Sequence, residues 1–77
     1  MTISSIKEEL TKYIGKKAII KYNLGRNKFE KYNVTIKALY QNVFVVEELK
    51  ELGPELKCFS YSDIIMKNIR FYYDNEN

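Results

Sequence analysis

Apolar and polar residues alternate along most of this chain, and only its first fifteen residues keep a different rhythm. Ile6, Leu10, Tyr13 and Ile14 fall at i, i+4, i+7 and i+8, one face of a helix, with Lys7, Glu8, Glu9, Thr11 and Lys12 on the others. Ser5 followed by Glu8 fits a capping box, and Gly15 stands where a C-terminal cap belongs. The spacing therefore predicts a helix over residues 4–14 that covers one end of a core. From Lys16 onward the period is two. Ala18, Ile20 and Tyr22 alternate with Ile19, Lys21 and Asn23 in a first strand over 16–24. Tyr32, Val34, Ile36, Ala38 and Tyr40 alternate with Lys31, Asn33, Thr35, Lys37 and Leu39 in a second over 29–40. Asn23, Gly25 and Asn27 between them tolerate the left-handed backbone of a tight reversal, which predicts a hairpin.

Gln41-Asn42 makes the next reversal. Val43-Phe44-Val45-Val46 is apolar on both faces, as in a strand covered on both sides, and the third strand is placed over 43–50 with the helix as its second cover. Glu47 to Lys57 turns polar and contains Gly53-Pro54, the only strong breaker pair, so the acidic part of this segment reads as a solvated loop. A short fourth strand follows over 56–61. Ser60-Tyr61-Ser62-Asp63 has turn composition. The last strand is placed over 64–73, with Ile65, Ile69 and Phe71 inward, and 74–77 as a frayed polar tail.

One helix and five locally connected strands suit a small barrel and are too few for a two-layer sandwich. The expected fold is mainly β: a single domain, a five-stranded SH3-like or Sm-like barrel with one N-terminal α-helix, and a single 3₁₀ turn at Ser60–Asp63. At 77 residues the chain buries only about 60% of its unfolded surface, so stability must come from packing. One cysteine, Cys58, and no histidine exclude an internal disulfide and the usual zinc site. Cys58 reads as a small buried hydrophobe. No apolar run reaches membrane-span length and no secretory leader is visible, so a cytoplasmic location is expected and a membrane partner is not.

The net charge of +3 is unevenly spread. Residues 1–40 carry nine Lys/Arg against three Asp/Glu, net +6, and residues 41–77 carry four against seven, net −3. A basic first half suits acidic partners, or a dimer that pairs the two halves. Arg26 and Lys28 sit at the hairpin tip, where packing demands no cation. Lys21, Asn23 and Lys31 flank it, and Lys16 and Lys17 form a second tier. These seven residues are the candidate binding surface, against the plainer reading of a solvated tip blunted against edge pairing.

Catalysis fares worst. Without histidine, acid–base work falls to carboxylates, Lys or Tyr, and Asp63 beside Ser60 and Ser62 lacks the positioned base that a serine nucleophile needs. The Gly15-Lys16-Lys17 segment lacks a Walker loop. No cofactor and no small-molecule substrate is indicated. The seven tyrosines exceed what so small a core needs and suit an interface.

The chain also resembles the Veg family of small proteins from Gram-positive, spore-forming and related bacteria. The resemblance runs from about Ile3 to Phe71. It is carried by Ile6-Lys7, Gly15-Lys16-Lys17, Asn23-Leu24-Gly25-Arg26-Asn27-Lys28, Tyr40-Gln41-Asn42-Val43-Phe44-Val45-Val46 and Ser60-Tyr61-Ser62-Asp63-Ile64. It departs at Cys58-Phe59, where the family pattern has Ser-Tyr, and over residues 47–57. The resemblance implies a cytoplasmic, non-enzymatic barrel protein that stimulates biofilm matrix genes by relieving a transcriptional repressor. Two functional readings stay open. The first is a regulatory protein that contacts a protein partner, a transcriptional regulator, through the basic hairpin, with a homodimer as an option. The second is a nucleic-acid-binding barrel that meets RNA or DNA phosphates through the same basic stripe.

Overall fold

The computed structural model describes residues 2–73. Helix α1 (Ile3–Thr11) is followed by strands β1 (Lys17–Gly25), β2 (Lys28–Leu39), β3 (Val43–Lys50) and β4 (Gly53–Ser60). A short helix, α2 (Tyr61–Ile65), then leads into β5 (Ile69–Tyr73). All pairings are antiparallel, in the order β4-β3-β2-β1-β5. Period two works as expected in the middle of the sheet. Ala18, Ile20, Val34, Ile36, Phe44 and Val46 are buried, and together with Ile6, Leu10, Tyr61 and Ile69 they form one core.

The sheet curls. Tyr22 on β1 and Phe59 on β4 stand three strands apart in the ladder, about 14 Å in a flat sheet, yet their ring centroids are 5.9 Å apart. Phe44 on β3 and Phe71 on β5 are equally distant along the ladder and approach to 5.6 Å. A bulge between Ile36 and Ala38 in the twelve-residue β2 supplies the bend. The result is a small barrel of the SH3-like and Sm-like kind, helix first, with a helical turn before the last strand.

Several local expectations are corrected. The capping box lies one turn earlier, between Thr2 and Ser5, and α1 ends at Thr11, leaving Ile14 exposed. Gly15 (φ 85°) serves the exit instead: its N–H donates to the Ile36 carbonyl at 2.7 Å. α1 rests on α2 and β2, while β3 is covered from inside by the aromatic cluster. Residues 47–57 are not a loop. They form a hairpin with its turn at Glu51-Leu52, in which Leu49 pairs with Pro54 and Lys50 with Gly53. Proline is tolerated there because β4 is an edge strand. Its outward register leaves Cys58, opposite Val45, exposed.

Ser60-Tyr61-Ser62-Asp63 opens α2, with the Ser60 hydroxyl accepting from the Ser62 N–H at 3.0 Å. Residues 64 and 65 are thus helical, β5 starts at Ile69, and Ile65 points outward. Ile69 is buried and Phe71 half-buried, as expected. The 74–77 tail lies outside the described residues. Among the described residues, no helix is long and apolar enough to cross a membrane.

Candidate anion-binding face

Because Ala18 and Ile20 point into the core, Lys17, Ile19, Lys21 and Asn23 lie on the outer face of β1. The register carries this face to both neighbours. Lys21 pairs with Lys31 on β2 and with Arg70 on β5. Three cations therefore stand side by side across three strands, in a row about 10 Å long. Like charges directly opposite one another destabilise a sheet. No carboxylate among the described residues lies within salt-bridge distance of any of the three.

The Lys21 ammonium sits 4.4 Å from the ring centroid of Phe29, its diagonal neighbour on β2. Phe29 is exposed. This contact holds the central cation on the surface without neutralising it.

The hairpin tip adds two exposed cations beyond the row. Arg26 (φ 50°) and Asn27 (φ 62°) are both left-handed, the geometry of a two-residue type I′ turn, and Gly25 (φ 89°) precedes them. Arg26 and Lys28 are exposed there. Asn23 is occupied with the turn itself, its Oδ1 accepting from the Gly25 N–H at 2.8 Å. Lys17 lies on the outer face two alternations from Lys21. Lys16 is apart from the row, at the helix exit, its ammonium 6.0 Å from the Tyr13 ring centroid. The stripe on β2 stops short of Lys37, which is the extra residue of the bulge and meets Glu47 at 3.9 Å.

The seven sequence candidates thus divide. Lys21 and Lys31 are brought together, Arg26 and Lys28 are exposed at the tip with Lys28 on the opposite alternation of β2 from Lys31, and Lys17 borders the row. Asn23 and Lys16 have local structural roles. Sequence reasoning missed Arg70. The inward setting of Ile69 and Phe71 already turned it outward, but the pairing of β5 with β1 leaves no local trace.

A second neighbouring row lies one alternation along. Ile19 pairs with Tyr72 on β5 and Asn33 on β2. Together with Lys17, Thr35, Glu47 and Leu49 these residues border an open cleft of about 450 Å³. Tyr72 and Leu49 are exposed.

Two carboxylates of the acidic half are compensated locally. Lys50 and Lys57 reach Glu55 at 3.1 and 3.3 Å and Glu48 at 3.8 and 3.7 Å. The two ammonium groups hold the Glu55 carboxyl below its ordinary range. The tyrosines serve the core more than the sequence suggests: Tyr61 is buried, Tyr13, Tyr22, Tyr32 and Tyr73 pack against the core, and Tyr40 and Tyr72 are exposed.

Fold and face together define a small-barrel protein with an uncompensated basic surface. The comparison with known families agrees with the resemblance. The family model for the biofilm formation stimulator VEG matches residues 1–72, nearly the whole chain, and the protein belongs to the Veg family. No curated protein matches the chain.

Proposed function

We propose that this protein is a non-enzymatic regulatory binding protein of the Veg family that engages a polyanion, nucleic acid first, through the face centred on Lys21. The observation that carries this reading is the Arg70–Lys21–Lys31 row. Three cations in cross-strand register are held together against their mutual repulsion, with no carboxylate among the described residues to neutralise them. An anion chain laid along the row relieves that repulsion and releases counterions. Glu48 and Glu55, already paired with Lys50 and Lys57, are the part of the acidic half least open to a head-to-tail dimer that pairs the two halves.

The protein-partner reading, relief of a transcriptional repressor by direct contact, draws on the exposed apolar residues beside the row, Ile19, Leu49 and Tyr72. The uncompensated charge of the row is what supports the polyanion reading ahead of this one. In either reading the family's biofilm-stimulating role follows from binding, with the protein acting in the cytoplasm and without a cofactor.

Titration against labelled single-stranded RNA, single-stranded DNA and duplex DNA at about 50 and 200 mM salt tests it. Binding is expected to fall steeply with salt and to be lost in Lys21→Glu/Arg70→Glu. Arg26→Glu/Lys28→Glu is expected to weaken it less. Absence of binding at the lower salt to all three overturns the reading in favour of a protein partner.

A further inference from the structure

We propose that the cleft beside the cation row takes an unstacked base of a single-stranded nucleic acid, whose phosphates run along Arg70, Lys21 and Lys31. This rests on the polyanion reading and adds a base site to it. The two rows are adjacent on one face. Arg70-Lys21-Lys31 is one cross-strand set, and Tyr72-Ile19-Asn33 is the next, two residues along each strand, about 7 Å away. A nucleotide has the same two-part chemistry, an anion and a flat apolar ring with polar edges, joined by a short sugar.

Each part of the cleft suits the ring. Tyr72, 47% exposed, offers an aromatic face on an edge strand, and Ile19, 38% exposed, forms an aliphatic surface beside it. Base–aromatic stacking of this kind tolerates any sequence and is the usual means by which proteins hold unpaired bases. Asn33 brings an amide that both donates and accepts, and Thr35 a hydroxyl, to the cleft's β2 side. Glu47, drawn toward Lys37, leaves a carboxylate on the far wall that suits a base's exocyclic amine and repels a phosphate. Its position, away from the cation row, gives the bound strand a direction: phosphate over Lys21, base toward β3. The volume of about 450 Å³ falls in the range of small-ligand clefts. A duplex keeps its bases stacked within the helix and leaves this cleft unfilled.

The test uses the full chain and four probes. These are an unstructured ten-nucleotide RNA, the DNA of the same sequence, that DNA annealed to its complement, and inorganic polyphosphate as a polyanion without bases. The expected result is single strands bound at least about tenfold more tightly than duplex or polyphosphate. Tyr72→Ala weakens single-strand binding by about tenfold or more, with the salt slope and polyphosphate binding unchanged, and Tyr72→Phe restores it. Retained polyphosphate binding shows that the Ala variant is folded. The RNA and DNA arms separate the two sources of strand. If Tyr72→Ala binds single strands as the parent does, or if duplex and polyphosphate bind as tightly as single strands, the base site is overturned while the polyanion reading stands. If no probe binds at low salt, both fall, and the face belongs to a protein partner.

Discussion

The Tyr61 hydroxyl donates to the Tyr40 carbonyl at 2.6 Å, and the Tyr61 N–H donates to the Asn42 carbonyl at 3.3 Å. One fully buried side chain thereby ties the first residue of α2 to the reversal between β2 and β3, while its ring packs 5.7 Å from Phe44. Tyr61→Phe keeps the ring and removes the donor. It is expected to cost about 1 kcal/mol, a drop in Tm of roughly 4–8 °C for a chain of this size. Tyr61→Ala also opens a cavity and costs about 3–5 kcal/mol, enough to leave a small domain largely unfolded. Thermal melts followed by circular dichroism measure both; a Phe variant with an unchanged midpoint removes the hydrogen bond from the argument.

Lys67 ends α2 in the left-handed region (φ 63°). Its N–H donates to the Ile64 carbonyl at 3.0 Å and that of Asn68 to the Asp63 carbonyl at 2.8 Å, the two bonds of a Schellman cap. Glycine adopts this backbone without the Cβ penalty. Lys67→Gly is therefore expected to stabilise the fold by about 0.5–1 kcal/mol, read as a raised urea midpoint at unchanged slope. A lower midpoint refutes the assignment.

The cation row makes salt a stabiliser of the free protein. Arg70→Gln removes one like-charge neighbour of Lys21 and is expected to raise Tm by a few degrees at low salt, from about 0.2–1 kcal/mol of relieved repulsion. The advantage should vanish near 1 M salt, where screening acts within about 3 Å. The same variant should bind polyanions less tightly. A Tm gain that persists at high salt points to packing instead of charge.

Tyr73 stacks on Tyr13 with centroids 3.7 Å apart. Burial first, then the neighbouring Tyr13 and Glu9, push its phenol up to about 12 from an ordinary value of 10.0. The fold thus favours the neutral phenol. That contribution is fully present below pH 10 and is lost as pH rises from 10 toward 12. Tyr32, raised to about 12 chiefly by its hydrogen bond to Glu30, carries the same sign. Melting temperatures between pH 9 and 12 should fall more steeply for the parent than for Tyr73→Phe. Equal slopes would assign the alkaline loss to other groups.

How far the sequence could be read follows from what each signal depends on. Strands β1 and β2 were legible because Ala18, Ile20, Val34 and Ile36 alternate with outward residues, and burial on one face enforces that pattern, while β3 was legible as the short apolar run Val43–Val46. Residues 47–57 read as a loop because their charge and Gly53-Pro54, taken strand by strand, carry no pairing signal. As a pair of strands, Glu48 and Glu55 meet Lys50 and Lys57, and the polar composition becomes a ladder. The capping box of α1 lies one turn before the expected one because Thr2 caps as well as Ser5 does, and nothing local decides between them. Within the site, Lys21 and Lys31 lie on one hairpin and could be paired from the sequence. Arg70 and Tyr72 join them through a contact that spans most of the chain, and no local periodicity encodes it.

That long-range contact has a kinetic meaning. Strands β1 to β4 form a run of chain-adjacent hairpins, which close at low entropic cost, whereas β5 must travel back across the chain to reach β1. β5 is the clasp of the molecule, and it delivers Arg70 and Tyr72 to residues already in place. The proposed binding surface is therefore a proof of completed folding: an unclasped chain displays the hairpin with its lysines but lacks the third cation and the aromatic wall. A ligand that spans the row holds the clasp shut, so occupancy and folding reinforce each other.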